Sequence, residues 1–462
     1  MWRLKKNISN IAMIDENGQT ISYADIQKFT EQMRIICTQR DIVLCLCKNT
    51  LGSIIGYLSF IEIRIVPILL EDSIEKELIN KICEDYTPYY IWAPQEMKFS
   101  EYSECYTAFE YRLWKQKDGK LHDLHPDLAL LLSTSGTTGS SKMVRISYDN
   151  LYENTCSIID YLKISELERP ITVLPMCYAY GLSIINTHIM AGATIIVTTK
   201  SIIQKEFWDI LSFYKVTSIS GVPYTYQMLE RMQFCKWNLP YLRTLTQAGG
   251  KLPEELQYLF AEYAASLNKK FVIMYGQCEA TARISYLPSE YALTKIGSIG
   301  VAIPKGKLNI VNDQKQEIKG AGKAGEILYS GPNVMMGYAE NIEDLIQGDV
   351  QGDFLLTGDI GYIDRDGFYY IIGRKKRIIK LFGKRVCLDE VENYLKEKYM
   401  INCACIEKKG KLLTYLTDIN QKEIVQEILT KKFKLPAMVL DIQEIYEIPR
   451  STSGKILYSQ LQ

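Results

Sequence analysis

Residues 128–142 read Leu-Ala-Leu-Leu-Leu-Ser-Thr-Ser-Gly-Thr-Thr-Gly-Ser-Ser-Lys. An apolar run from Leu128 to Leu132 feeds a loop dense in hydroxyls, with glycines at 136 and 139 and a lysine at 142. Glycine lets backbone N–H groups approach an anion closely, and hydroxyls and an ammonium add donors. That composition suits a loop that grips a polyphosphate. A Walker A loop requires G-x-x-x-x-G-K-[ST]. Here Ser141 precedes Lys142 and Met143 follows it, so the pattern fails at two positions. The competing reading of the same residues is a polar turn between a strand and a helix.

Size and composition narrow the field. The 462 residues suffice for two or three domains with cores of their own. Formal net charge is zero, which excludes a nucleic-acid partner held by bulk electrostatics. Twelve cysteines form no C-x-x-C pair, and the three histidines, His122, His125 and His188, pair with none at zinc spacing. The pairs Cys45/Cys47 and Cys403/Cys405 alternate within apolar strand-like runs, as buried thiols do. The first residues lack the apolar core of a signal peptide. The longest apolar stretch, Ile54 to Leu70, is interrupted by Glu62, Arg64 and Pro67 and does not read as a membrane span. A cytoplasmic protein is expected.

Helical and strand-like patterns alternate through the first two-thirds. Helices are expected at Tyr23 to Cys37, Leu51 to Phe60, Asp149 to Leu162, Phe207 to Tyr214 and Pro253 to Ser266, the third capped by Asp149 or Asn150. Strands are expected at Ile42 to Cys47, Val66 to Leu70, Ile171 to Leu174, Ala193 to Thr198, Ser218 to Val222, Leu242 to Gln247 and Lys270 to Met274. This alternation predicts α/β architecture, doubly wound around mostly parallel sheets, with ligands beyond the carboxyl ends of the strands. From about Gly297 to Ile372 short strands and glycine turns predict a barrel-like part. A small α+β unit over 374–462 follows the large unit of 1–373, with the boundary in the charge cluster Arg374 to Arg377.

Five further motifs follow the opening loop: Ala248-Gly249-Gly250-Lys251, Tyr275-Gly276-Gln277-Cys278-Glu279-Ala280-Thr281, Thr357-Gly358-Asp359, Gly373-Arg374-Lys375-Lys376 and Pro449-Arg450-Ser451-Thr452-Ser453-Gly454-Lys455. In this order and spacing the chain resembles the adenylate-forming superfamily of acyl-CoA synthetases, luciferases and peptide-synthetase adenylation domains. The resemblance runs from about Ile21 to Lys455.

The resemblance implies a role for each motif. Thr134, Ser135, Gly136, Thr137, Thr138, Gly139 and Lys142 would hold the β- and γ-phosphates of ATP. Tyr275 would stack on adenine beside Gly276, and Gly249 and Gly250 would admit its edge. Glu279 would bind Mg²⁺, a hard cation that takes a carboxylate oxygen and bridges phosphates. Asp359 would accept from the ribose hydroxyls, with Arg374 beside it. Lys455 would be catalytic, since an ammonium between a carboxylate nucleophile and the α-phosphate offsets the repulsion of two anions. Lys376 falls at the family's hinge, and Lys380 and Gly383 resemble the segment that enters the site for thioester formation. Without the resemblance, Tyr275 reads as a core aromatic, Asp359 as a turn residue and Lys455 as a solvated tail charge.

Two positions depart from the family pattern. Cys278 stands where threonine is usual, a weaker donor toward the α-phosphate. Tyr178 stands where many relatives carry histidine. The segment Tyr178-Ala179-Tyr180-Gly181 also lacks the aspartate with which amino-acid-activating relatives pair a substrate ammonium. A neutral-tailed carboxylic acid is therefore expected, with Tyr178, Tyr180, Gly181, Leu182, Ile185, Val222 and Pro223 as pocket residues. The resemblance implies an ATP-dependent acid–thiol ligase that forms an acyl-AMP and passes the acyl group to CoA or to the phosphopantetheine of a carrier protein, expected to act in trans. An amino-acid adenylation enzyme and a catalytically degenerate nucleotide-binding homologue are the alternatives.

Overall fold

A computed structural model describes residues 8–117, 119–133, 142–381, 384–408, 410–450 and 456–461. Two large mixed sheets dominate it. The first has eight strands, in the order Gly337–Ala339, Met143–Ser147, Leu128–Ser133, Val66–Glu71, Ile42–Cys47, Tyr90–Pro94, Tyr111–Gln116 and Tyr102–Ala108. Its centre is parallel, from Leu128–Ser133 through Tyr90–Pro94, and both flanks are antiparallel. The unbroken apolar run Ile42–Cys47 occupies the middle because both of its faces are covered. Val43, Cys45 and Cys47 enter one core, while Ile42, Leu44 and Leu46 enter the other. The C-x-C spacing is thus the period of a strand buried on both faces.

The second sheet has nine strands, in the order Ser218–Gly221, Thr244–Gln247, Lys270–Tyr275, Ser285–Leu287, Ser298–Ala302, Tyr369–Arg374, Phe354–Ile363, Gly325–Ser330 and Lys307–Val311. The first three are parallel and every later pairing is antiparallel. The expectation of mostly parallel sheets is corrected here: parallel strands form the middle of one sheet and one end of the other. The antiparallel strands of the barrel-like part hydrogen-bond through Ser298–Ala302 to Ser285–Leu287, which pairs with Lys270–Tyr275 at the edge of the parallel ones. Lys270–Tyr275 is the strand at which direction changes.

Local signals explain two smaller differences. The helix Tyr148–Leu162 is capped by Ser147, whose hydroxyl accepts from the Asn150 backbone N–H while the Asn150 side chain accepts from the Ser147 N–H. Asn150 is the third helical residue of a capping box, not the cap. The stretch Ile171 to Leu174 forms no strand, only single bridges from Pro170 to Ser218 and from Ile171 to Ile196. Its apolar residues are drawn instead into the packing between helix and sheet.

Past Arg374 the chain builds a hairpin, Ile378–Leu381 with Lys384–Cys387, and a three-stranded sheet of Cys403–Lys408, Lys411–Leu416 and Leu440–Glu444. Helices Leu388–Tyr399 and Lys422–Lys431 close a core of their own around Val391, Leu395, Cys405, Leu412 and Leu429. No described helix is long and apolar enough to cross a membrane.

Candidate active site

Tyr275 ends the strand at which the second sheet changes direction, and its hydroxyl donates to Asp359 Oδ2 at 2.5 Å. Asp359 lies within Phe354–Ile363, one residue after Gly358, whose φ of +72° favours glycine. Arg374 is its cross-strand partner and places Nε 3.5 Å from Asp359 Oδ1. Burial raises the Asp359 carboxyl above its ordinary value, offset in part by the Tyr275 hydrogen bond and the Arg374 charge. Burial and the neighbouring carboxylate push the Tyr275 phenol far upward, so it stays a donor. The pair presents an acceptor carboxylate beside an aromatic ring at a strand end.

The turn after Tyr275 has room for glycine alone. A Cβ on Gly276 would lie 1.9 Å from the Ala282 carbonyl oxygen. The short helical turn Cys278–Ala280 follows, and the Cys278 thiol reaches the Ser133 carbonyl at 3.7 Å. Ser133 ends a strand at the margin of the other sheet's parallel centre, so this contact joins the two sheets at their strand ends. A second tie lies beside it. Tyr338 donates through its hydroxyl to Glu279 Oε1 at 2.9 Å, and Lys142 Nζ sits 4.0 Å from the Tyr338 ring centroid. Lys142, Tyr338 and Glu279 thus stand in one row. Thr134, Ser135, Gly136, Thr137, Thr138 and Gly139 lie outside the described residues.

Gly249 takes φ +82°, and a Cβ there would meet Val222 Cγ1 at 3.0 Å; one on Gly250 would meet Pro223 Cγ at 3.1 Å. Val222 and Pro223 therefore pack against the glycine turn. Gly181 is constrained in the same manner, with a Cβ falling 2.2 Å from the Pro175 carbonyl oxygen. Tyr178 precedes the helix Ala179–Ala191 and hydrogen-bonds the Glu71 carboxyl, which burial raises. Leu182 and Ile185 belong to the main core.

Of the expected pocket residues only Tyr180 lines a cavity beside the strand Lys270–Tyr275. Its hydroxyl shares a hydrogen bond with Thr246 at 2.8 Å. Ser183 and His188 from the same helix, Thr246, Met274, Arg283 and Glu168 are among the other lining residues, beside apolar ones such as Leu162 and Ile184. Met274 immediately precedes Tyr275, so the cavity adjoins the strand end on the face away from Asp359. Arg283 and Tyr338 escaped the sequence reading. Each has a signal in retrospect: an arginine inside the otherwise apolar Ala282-Arg283-Ile284, and a tyrosine in the short edge strand Gly337–Ala339.

At the start of the small unit the Arg374 N–H donates to Asp389 Oδ2 at 2.8 Å. Arg377 pairs with Asp389 and, at 2.6 Å, with Glu392, and it covers the Tyr458 ring at 3.7 Å. Lys376 is exposed between these anchored arginines. The backbone of Lys380 lies in Ile378–Leu381 opposite Arg385, while Gly383 and Lys455 lie outside the described residues. Lys251, beside the Gly249-Gly250 turn, reaches Glu397 of the small unit at 3.2 Å. Among the described residues no group of three or more His, Cys, Asp or Glu side chains could hold a metal, which leaves Glu279 as a single carboxylate.

A buried carboxylate, an aromatic ring at a strand end and a glycine turn at the rim of mixed α/β sheets define a nucleotide-binding class. The family model described as AMP-binding enzyme matches residues 2–339, and the chain belongs to that family. It is 29% identical over 357 residues to a probable 4-coumarate–CoA ligase 2 of Dictyostelium discoideum, covering 74% of this chain and 64% of that one. It is 31% identical over 356 residues to an oxalate–CoA ligase of Arabidopsis thaliana, covering 72% and 66%. A 2-succinylbenzoate–CoA ligase of Geobacillus is 28% identical over 355 residues, covering 73% and 69%. The chain thus spans just under two-thirds, 64%, of the length of the first curated relatives it matches. The fold is shared with o-succinylbenzoate CoA synthetase (MenE) from Bacillus subtilis in complex with an acyl-adenylate, at TM-score 0.80 and 22% identity, covering 99% of this chain and 97% of that one.

Proposed function

We propose that this protein is an AMP-forming acid–thiol ligase. In the first half-reaction a substrate carboxylate oxygen bonds to the α-phosphorus of ATP and the bond to the β-phosphate bridge breaks, giving acyl-AMP and pyrophosphate. In the second, a thiol sulfur bonds to the acyl carbon, AMP leaves with the electron pair, and the thiol proton goes to solvent. The observation that carries the reading is the Tyr275–Asp359 contact at 2.5 Å, an acceptor carboxylate fixed beside a ring at the rim of the sheet. Asp359 would take the ribose hydroxyls, Tyr275 and Gly276 would flank adenine opposite Gly249 and Gly250, and Arg374 would support the ribose end. The row Lys142–Tyr338–Glu279 supports a polyphosphate lying along it.

Mg²⁺ fits this donor set, because it keeps waters and phosphate oxygens and needs few protein carboxylates. Glu279 would hold it, and the bound ion would neutralise phosphate charge. Lys455 supplies the ammonium between the two anions, Cys278 a weak donor near them, and residues 134–139 the clamp on the departing pyrophosphate. The small unit from Arg374 would turn about Lys376 between half-reactions, bringing Lys380 and Gly383 to the site for thiol capture. The acceptor is CoA, with a carrier-protein phosphopantetheine acting in trans as the variant. Twelve cysteines, none in a disulfide, support a reducing cytoplasm.

The amino-acid alternative is disfavoured by the cavity. Its wall acid, Glu168, is engaged by Arg243 at 3.0 Å and by Thr217 at 2.5 Å, and Arg283 would repel an ammonium. Pyrophosphate–ATP exchange across a panel of carboxylic acids tests the reading. Exchange with at least one acid is expected, and ATP binding without exchange for any acid would leave the degenerate homologue.

A further inference from the structure

Resting on that ligase reading, we propose that the acid substrate carries a second anionic group, a carboxylate in the simplest case, and that Arg283 receives it. Arg283 is 3% exposed and lines the cavity beside the strand end. Its partners are all neutral. Nη2 donates to Ser183 Oγ at 3.2 Å, Nη1 to the Ala282 carbonyl at 3.2 Å, and Nε faces Met274 Sδ at 3.5 Å. Its Cζ lies 4.1 Å from the Tyr180 ring centroid, and the Tyr161 hydroxyl donates to the same Met274 Sδ at 3.0 Å.

No carboxylate among the described residues lies within ion-pair distance of this guanidinium. Glu168 is the acid of the cavity wall, and both of its oxygens are taken, one by Arg243 and one by Thr217. His188, also in the wall, is held neutral near pH 7, since burial lowers its pKa to about 4. Buried arginines are ordinarily paired, because a desolvated cation without an anion is costly. Here a hydroxyl, a thioether, a ring face and a backbone carbonyl hold the guanidinium in place and leave its charge uncompensated.

A fixed guanidinium fork is complementary to a carboxylate. A hydrocarbon tail would leave the cation desolvated and unpaired, so the expectation of a neutral-tailed acid loses its physical support. Met274 ties the position to the chemistry: its sulfur touches Arg283, and the next residue is Tyr275. The second anionic group would therefore lie close to the reacting carboxylate, as in a short dicarboxylic acid.

The test is pyrophosphate–ATP exchange by the full chain with saturated dicarboxylic acids of three to eight carbons, each paired with the monocarboxylic acid of equal carbon number. The wild-type protein is expected to favour a diacid in kcat/KM. Arg283→Met should lower the diacid-to-monoacid ratio by about thirtyfold or more, the loss typical when one partner of a buried charge pair is truncated. Arg283→Lys keeps the charge without the fork and should recover part of the ratio, chiefly through KM. If Arg283→Met does not fold by circular dichroism, Arg283→Lys decides by a ratio below wild type. A wild-type preference for monoacids overturns the proposal, as does an unchanged ratio in a folded variant; Arg283 would then be a packing partner of Tyr180. Exchange with neither class of acid overturns the ligase reading itself.

Discussion

Tyr275 donates its hydroxyl to Asp359 across 84 residues of sequence, at 2.5 Å and away from bulk solvent. The contact joins the strand where the second sheet changes direction to the long antiparallel strand four places later in the sheet order. Its cost is a buried carboxylate. Desolvation raises the Asp359 pKa, so ionisation favours the unfolded chain once pH exceeds the ordinary carboxylate value. Asp359→Asn removes that cost and keeps an oxygen that accepts from Tyr275. It is expected to match or exceed the wild-type Tm at pH 7, with the advantage shrinking as pH falls toward 4. ATP binding by calorimetry should weaken about tenfold or more in the same variant.

Gly276→Ala tests the strand-end turn. The added methyl would fall 1.9 Å from the Ala282 backbone oxygen, which cannot rotate away. A destabilisation of about 3 kcal/mol is expected by denaturant unfolding, together with weaker ATP binding. Gly322→Ala is the control, because nothing lies within 4 Å of its Cβ position. Its φ of +76° costs backbone strain alone.

His188 predicts a pH slope. Burial lowers its pKa from 6.5 to about 4, while its Nδ1 hydrogen-bonds the Ile184 carbonyl at 2.8 Å. The folded state binds this proton less readily than the unfolded one. The stability it contributes is therefore present above pH 6.5 and is lost as pH falls toward 4, by up to about 3 kcal/mol. His188→Gln, which can still donate to Ile184, should flatten that part of the stability–pH curve. An unaltered slope would place the titrating group elsewhere.

Cys278→Thr is expected to accelerate adenylation. A hydroxyl is a better donor than the thiol that now reaches the Ser133 carbonyl at 3.7 Å. One improved hydrogen bond, about 1 kcal/mol, corresponds to roughly five- to tenfold in single-turnover acyl-AMP formation. A slower variant would mean that the Cys278–Ser133 tie matters more than its reach toward phosphate.

Much of the site was legible because its residues sit in glycine-marked strand ends, which local chemistry announces. Tyr275-Gly276 and Gly249-Gly250 fall where strand and turn patterns place them, whereas Thr357-Gly358-Asp359, expected to follow a strand, lies inside Phe354–Ile363. The central strands were legible for the same reason, as Ile42–Cys47 is apolar at every position and buried on both faces. Strand direction was not legible, since a short apolar strand looks alike in parallel and antiparallel company. The run Ile171 to Leu174 has strand composition but finds only single bridges, because its neighbours in space decide its pairing. Arg283 was invisible for a related reason. Its burial is set by Tyr180 and Ser183, about a hundred residues upstream, and no local pattern reports that contact.

The central claim is that Lys455 brings a carboxylate and ATP together in the site built around Tyr275, Asp359 and Glu279. Pyrophosphate–ATP exchange by Lys455→Ala, with the best acid of the panel and ATP binding measured in parallel, tests it most directly. Exchange should fall to background with ATP affinity largely intact, and thioester formation from supplied acyl-AMP should persist. Exchange at the wild-type rate would contradict the account.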